Sequence, residues 1–79
     1  MINLVDINGE TVDLVRYTTC RDGTILTTTK ERYQYKLNVV TRQGGDHTFL
    51  FDSEIQCIKN HTDFIKNHGG RNFLDRILR

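Results

Sequence analysis

Apolar and polar positions alternate through the first two thirds of the chain, and the period lengthens after Asp52. Ile2 to Ile7 is short, apolar and β-branched, which predicts a strand over 2–7. Asn8-Gly9 follows it, a pair suited to a two-residue hairpin in which both turn positions need positive φ. That turn would set Ile7 opposite Glu10, Val5 opposite Val12 and Ile2 opposite Val15. Asp22-Gly23 repeats the signal between a strand over 11–20 and one over 24–29, where Thr27, Thr28 and Thr29 favour strand over helix. Lys30-Glu31-Arg32 interrupts as a turn or bulge. Over 33–42 the alternation is clearest: Tyr33, Tyr35, Leu37 and Val39 take one face, and Gln34, Lys36 and Asn38 the other. Gly44-Gly45-Asp46 leads into a strand over 47–51. A three-residue loop there pairs Val39 with Phe51, and a two-residue loop pairs it with Leu50.

Beyond Asp52 the pattern is helical. Ser53-Glu54-Ile55-Gln56 fits a capping box, and Ile55, Ile58, Thr62 and Ile65 recur at helical spacing with Phe64 widening the stripe. The helix runs over 53–67 and ends at His68-Gly69-Gly70. Phe73, Leu74, Ile77 and Leu78 then predict a short helix over 73–78, which about two turns cannot hold without docking. The fold class is α+β: a four- to five-stranded antiparallel β-meander, one C-terminal amphipathic helix packed on it, and a short helical tail. A partly open SH3-like barrel, bent near Lys30, is the alternative architecture.

At 79 residues the chain, 1–79, is expected to form a single domain, since it cannot bury a second core. A net charge of +1 excludes a strongly cationic nucleic-acid coat, and 37% hydrophobic content excludes a low-complexity tail. No apolar run approaches the roughly 18 residues of a membrane span, and residues 1–10 lack the basic start of a signal peptide. Cys20 and Cys57 are too few for a disulfide scaffold or a zinc module, so free thiols in a reducing compartment are expected. The expected setting is cytoplasmic, in a bacterial or infected host cell.

Few residues carry a chemical signature. Cys57, His61 and His68 fall along one flank of the helix, where thiolate and imidazole can share a metal with His47 or Cys20 completing the set. The competing reading is a packed cysteine on the apolar stripe. Cys57 beside His61 lacks the Gly-rich elbow and orienting third group of a nucleophile. Asp52 and Glu54 read as charges at a helix N-terminus, and Gly44-Gly45 is followed by no lysine–threonine pair. No enzyme and no cofactor is expected.

Charge is unevenly placed, at −3 over residues 1–15, +4 over 16–42, −2 over 43–70 and +2 over 71–79. Arg32, Gln34, Lys36, Asn38 and Arg42 share strand parity, so one face offers basic and amide groups together. In the tail, Arg71, Arg76 and Arg79 flank apolar anchors, the pairing that carries energy at protein interfaces. These eight residues form the candidate partner-binding surface.

Ile2-x-Leu4 with Asn8-Gly9-Glu10 resembles the opening of the small flagellar-operon FlbD-like proteins, over about a sixth of the chain. In size, strand-rich layout, Phe51-Asp52-Ser53 entry into one helix and lack of catalytic motifs, the chain resembles small phage-encoded inhibitors such as anti-CRISPR proteins. That likeness is of style and carries over no functional residue. The expected function is a non-enzymatic protein-binding module, a phage or mobile-element inhibitor of a host or defence complex. The alternatives are a small nucleic-acid-binding regulator using the basic face, and a homodimeric structural component.

Overall fold

Alternation and two glycine-centred turns build a six-stranded antiparallel sheet with one helix on one of its faces. The computed structural model describes residues 2–5 and 11–77. In chain order these form β1 (Ile2–Val5), β2 (Thr11–Cys20), β3 (Ile25–Lys30), β4 (Tyr35–Val40), β5 (Asp46–Phe51), α1 (Glu54–Asn67) and β6 (Arg71–Ile77). The expected Asn8-Gly9 turn, and Arg79 of the tail, lie outside the described residues. Five strands form the predicted meander in sequence order. Ser53 caps α1 in extended conformation, its hydroxyl accepting the Gln56 N–H at 3.4 Å. Among the described residues no helix is long and apolar enough to cross a membrane.

The predicted helical tail over 73–78 is instead a strand, β6, paired antiparallel with β2. β1 pairs with Thr11 to Leu14 of β2, and β6 takes Arg16 to Cys20 on the same edge. The two terminal strands therefore lie end to end along one side of β2. Two helical turns satisfy few of their own backbone groups, whereas pairing satisfies those of both strands. The sheet is also not the alternative barrel: it stays open, with β5 at one end and β1 and β6 at the other. Its register shifts fall in β2, between Leu14 and Arg16 against β3 and between Thr18 and Cys20 against β6.

Three registers differ from expectation. Val5 pairs with Thr11 and Ile2 with Leu14, so five residues separate the innermost pair where a two-residue turn needs an even number. At the second hairpin Thr19 pairs with Ile25, the Cys20 N–H donates to the Thr24 carbonyl at 2.8 Å, and Arg21-Asp22-Gly23 is the loop. At the β4–β5 hairpin Val39 pairs with His47, neither Phe51 nor Leu50, because the loop is Arg42-Gln43-Gly44. Both loops have three residues with a glycine last, at φ 91° in Gly23 and in Gly44. No non-glycine residue among those described has positive φ, which rules out the type I′ turn expected at Asp22-Gly23. An odd loop at Gly44 still keeps Tyr35, Leu37 and Val39 on the same face as Phe51, Phe49 and His47. Tyr33 and Gln34 leave the predicted strand for the turn between β3 and β4, and Tyr33 is 87% exposed.

The helix covers one face of the sheet. There Cys20, Leu26, Leu37 and Val39 pack with Cys57 and Ile65 of α1, flanked by Tyr35, Phe51 and Phe64. A Cβ added at Gly44 would meet nothing within 4 Å, so its substitution isolates the cost of the left-handed backbone. Gly44→Ala is expected to lower the unfolding free energy by about 1 kcal/mol and Gly44→Asn by less, as read from urea denaturation midpoints.

Candidate functional site

The inner surface of α1 is divided. Its buried line is Cys57, His61 and Ile65, and not the Ile55-Ile58-Thr62-Ile65 stripe that its spacing suggested. Towards β5 the contacts are apolar, with Phe64 tilted against Phe49 at 5.4 Å between ring centroids. Towards β2 and β6 they are polar, because register places Arg16 and Thr18 of β2, Thr28 of β3 and Asp75 of β6 under the helix.

These groups form one connected network. Arg16 donates from Nε to Asp75 Oδ1 at 3.0 Å and from Nη2 to Oδ2 at 2.9 Å, a bidentate buried pair. Its Nη1 donates to Thr62 Oγ1 at 2.8 Å, and that hydroxyl donates on to the Ile58 carbonyl. Thr18 donates to Asp75 Oδ1 at 2.6 Å. With its single proton committed, Thr18 must accept from His61 Nε2–H at 2.8 Å. Nδ1 of the neutral ring is then the acceptor for the Thr28 hydroxyl at 2.7 Å. The Cys57 thiol donates in turn to Thr28 Oγ1 at 3.8 Å. Every donor in the series from Cys57 to Asp75 points towards the carboxylate.

Burial sets the charge states. His61 is 0% exposed, and burial, helped by the Arg16 charge and opposed by Asp75, lowers its pKa to about 3. Hydrogen bonds from Arg16, then one from Thr18, hold the Asp75 carboxyl below its usual range despite burial. Burial raises both thiols; the charges of Asp22 and Asp75 add to this at Cys20, and the Thr28 contact opposes it at Cys57. Both cysteines are free and buried, so neither has the exposed thiolate that reactivity needs.

The proposed metal ligands are not brought to one point. Both ring nitrogens of His61 are engaged by threonine hydroxyls, and Cys57 is turned towards Thr28. His68 sits at the helix end, bonded through Nδ1 to Asp22 at 2.7 Å and in contact with Thr24 at 3.2 Å. Among the described residues no group of three potential ligands can hold a metal ion.

The basic and amide residues are scattered too. Lys36 and Asn38 do lie on the uncovered face, but Lys36 pairs with Glu31 and Asn38 donates to Asp46 at 3.0 Å and Thr48 at 3.2 Å. Gln34 also donates to Glu31, whose carboxyl is held below its usual range by the bonds from Lys36 and Gln34. Arg32 is exposed in the turn before β4, while Arg42 sits in the turn after it, against Gly23. Arg71 leans on Asp75 at 3.5 Å, and exposed Arg76 pairs in register with Tyr17.

An apolar feature lies elsewhere. Ile55 and Ile58 of α1 and Ile77 of β6 line an open groove of about 400 Å³, with Glu54 and Lys59 completing its walls. Ile55 is 80% exposed and Ile77 59%. The chain has no match among known protein family models, curated proteins or solved structures.

Sequence reasoning missed Arg16, Thr18, Thr28 and Asp75. The available signals were an arginine and threonine alternating with apolar neighbours in β2, and an aspartate inside the apolar run 73–78. The network predicts an acid sensitivity with a definite sign. Unfolded histidine takes up a proton near pH 6.5, folded His61 only near 3, so below pH 6.5 the unfolded state binds more protons. Stability should fall as the pH drops through that window, by up to roughly 5 kcal/mol. Urea titrations from pH 7 to pH 3 check this, and His61→Gln should flatten the slope. Asp75→Asn, which leaves the Arg16 charge uncompensated, should cost about 3 kcal/mol at neutral pH.

Proposed function

We propose that this chain is a non-enzymatic protein-binding module whose contact surface is the isoleucine groove between α1 and β6. The observation that carries the reading is the exposure of Ile55 and Ile77 around a cavity walled mostly by aliphatic carbon. Isoleucine gives no helix-propensity advantage at a solvated position, and burying each side chain against a partner is worth about 1.5–3 kcal/mol. Glu54 and Lys59 border the groove with opposite charges, which can meet polar groups flanking an apolar side chain that enters it.

The buried titratable groups around His61 support the same reading, since their hydrogen bonds are spent on one another within the fold. The pairing of Lys36 with Glu31 weakens the case for a phosphate-binding face. The style-level likeness to small phage-encoded inhibitors gives the module its form, an inhibitor that acts by occupying a surface of a host or defence complex.

The test is affinity capture from nuclease-treated bacterial lysate with the wild-type chain, Ile55→Asp and Ile77→Asp, each first checked for folding. A stoichiometric protein that survives nuclease and binds either variant about thirtyfold more weakly is the expected result. A partner lost on nuclease treatment, or bound equally by all three proteins, overturns the groove as the binding surface.

A further inference from the structure

An open sheet has two outer edges, and this one treats them differently. On one side, β6 carries Arg71, Asp75 and Arg76, and its pairing with β2 shifts register between Thr18 and Cys20. Charges and irregular pairing are the usual means by which an edge refuses another strand. On the other side, β5 pairs with β4 from Tyr35–Phe51 to Val40–Asp46 with no shift. Its outer side is a regular row of backbone groups with no strand against them among the described residues. From His47 to Phe51 there is no Lys, Arg, Asp, Glu or Pro. Phe49 and Leu50 are 39% and 58% exposed, on opposite faces of the strand.

We propose that β5 pairs antiparallel with β5 of a second copy across a two-fold axis at Thr48, joining two six-stranded sheets into one. The occupant follows from chemistry: a row of alternating N–H and C=O groups is matched by extended backbone, and an antiparallel edge complements itself under two-fold rotation. Charge selects the register. Centring on Thr48 sets Asp46 against the partner's Leu50 and His47 against the partner's Phe49. Centring on Phe49 instead would oppose Asp46 and the partner's Asp52, like charges face to face. The Thr48 register keeps both helices on one side of the joined sheet and continues the Phe64–Phe49 contact through the partner's His47. A six-residue strand buries less than the roughly 1,200 Å² of a stable interface, so the dimer is weak and concentration-dependent. This edge is separate from the isoleucine groove, and the inference does not rest on the proposed function.

Sedimentation of the full chain over about a thousandfold range of concentration reads the association. The wild type should pass from monomer to dimer. Thr48→Lys and Thr48→Glu, each placing like charges across the axis, should weaken self-association at least about tenfold. An equimolar mixture of the two should restore it, because lysine then faces glutamate. Hydrogen exchange of wild-type β5 amides should slow as concentration rises, a readout that needs no variant. A wild type monomeric throughout, Thr48 variants that associate like it, or a mixture that stays monomeric would overturn the proposal. So would a dimer abolished by Ile77→Asp and indifferent to Thr48.

Discussion

A guanidinium placed under a helix must be given a carboxylate, and in this fold that requirement joins the two ends of the architecture. Arg16 is 7% exposed and meets Asp75, 59 positions later, through two parallel hydrogen bonds. An unpaired charge at that depth would cost several kcal/mol, more than β6 gains from any single backbone bond. The pair thus fixes β6 beside β2 and fixes its register. Without it, the segment after the helix has only a generic apolar pattern to direct it.

The helix is held by two unlike surfaces. Over Leu26 of β3 and over β4 and β5 it rests on aliphatic and aromatic side chains, which tolerate small rotations. Over β2 and Thr28 of β3 it is held by directional bonds between Arg16, Thr18 and Thr28 and its own Thr62 and His61, which do not. The polar half therefore sets the rotation of α1 about its axis. That rotation is what buries Cys57 and His61 and leaves Ile55 outside. The exposed groove is in this sense a consequence of the buried histidine.

Much of the fold was legible in the sequence. The β-meander strands and the helix appear close to their predicted bounds, because alternation with period two and a serine cap are local signals. Loop registers were not, since Asp22-Gly23 and Gly44-Gly45 mark where a turn falls and not how many residues it contains. The tail was misread because Phe73, Leu74, Ile77 and Leu78 fit a helical face as well as a strand, and the vacant edge of β2 decided the matter. The candidate site was the least legible part. Lys36 and Asn38 were placed on the correct face, but their bonding partners Glu31 and Asp46 come from turn and strand geometry. Ile55 was assigned to the core because periodicity reports a stripe without reporting which flank of it the sheet covers.

The end-to-end seating of β1 and β6 along one edge of β2 has a kinetic side. The β-meander and helix can assemble from neighbours in sequence, where loop closure is quick. The strip of β2 from Arg16 to Cys20 must wait for residues 71–77 to arrive. Until they do, burying Arg16 is unfavourable and the helix has no reason to settle over that half of the sheet. Completion of the buried network thus depends on the last strand, and a chain without that strand would leave Arg16 without its carboxylate.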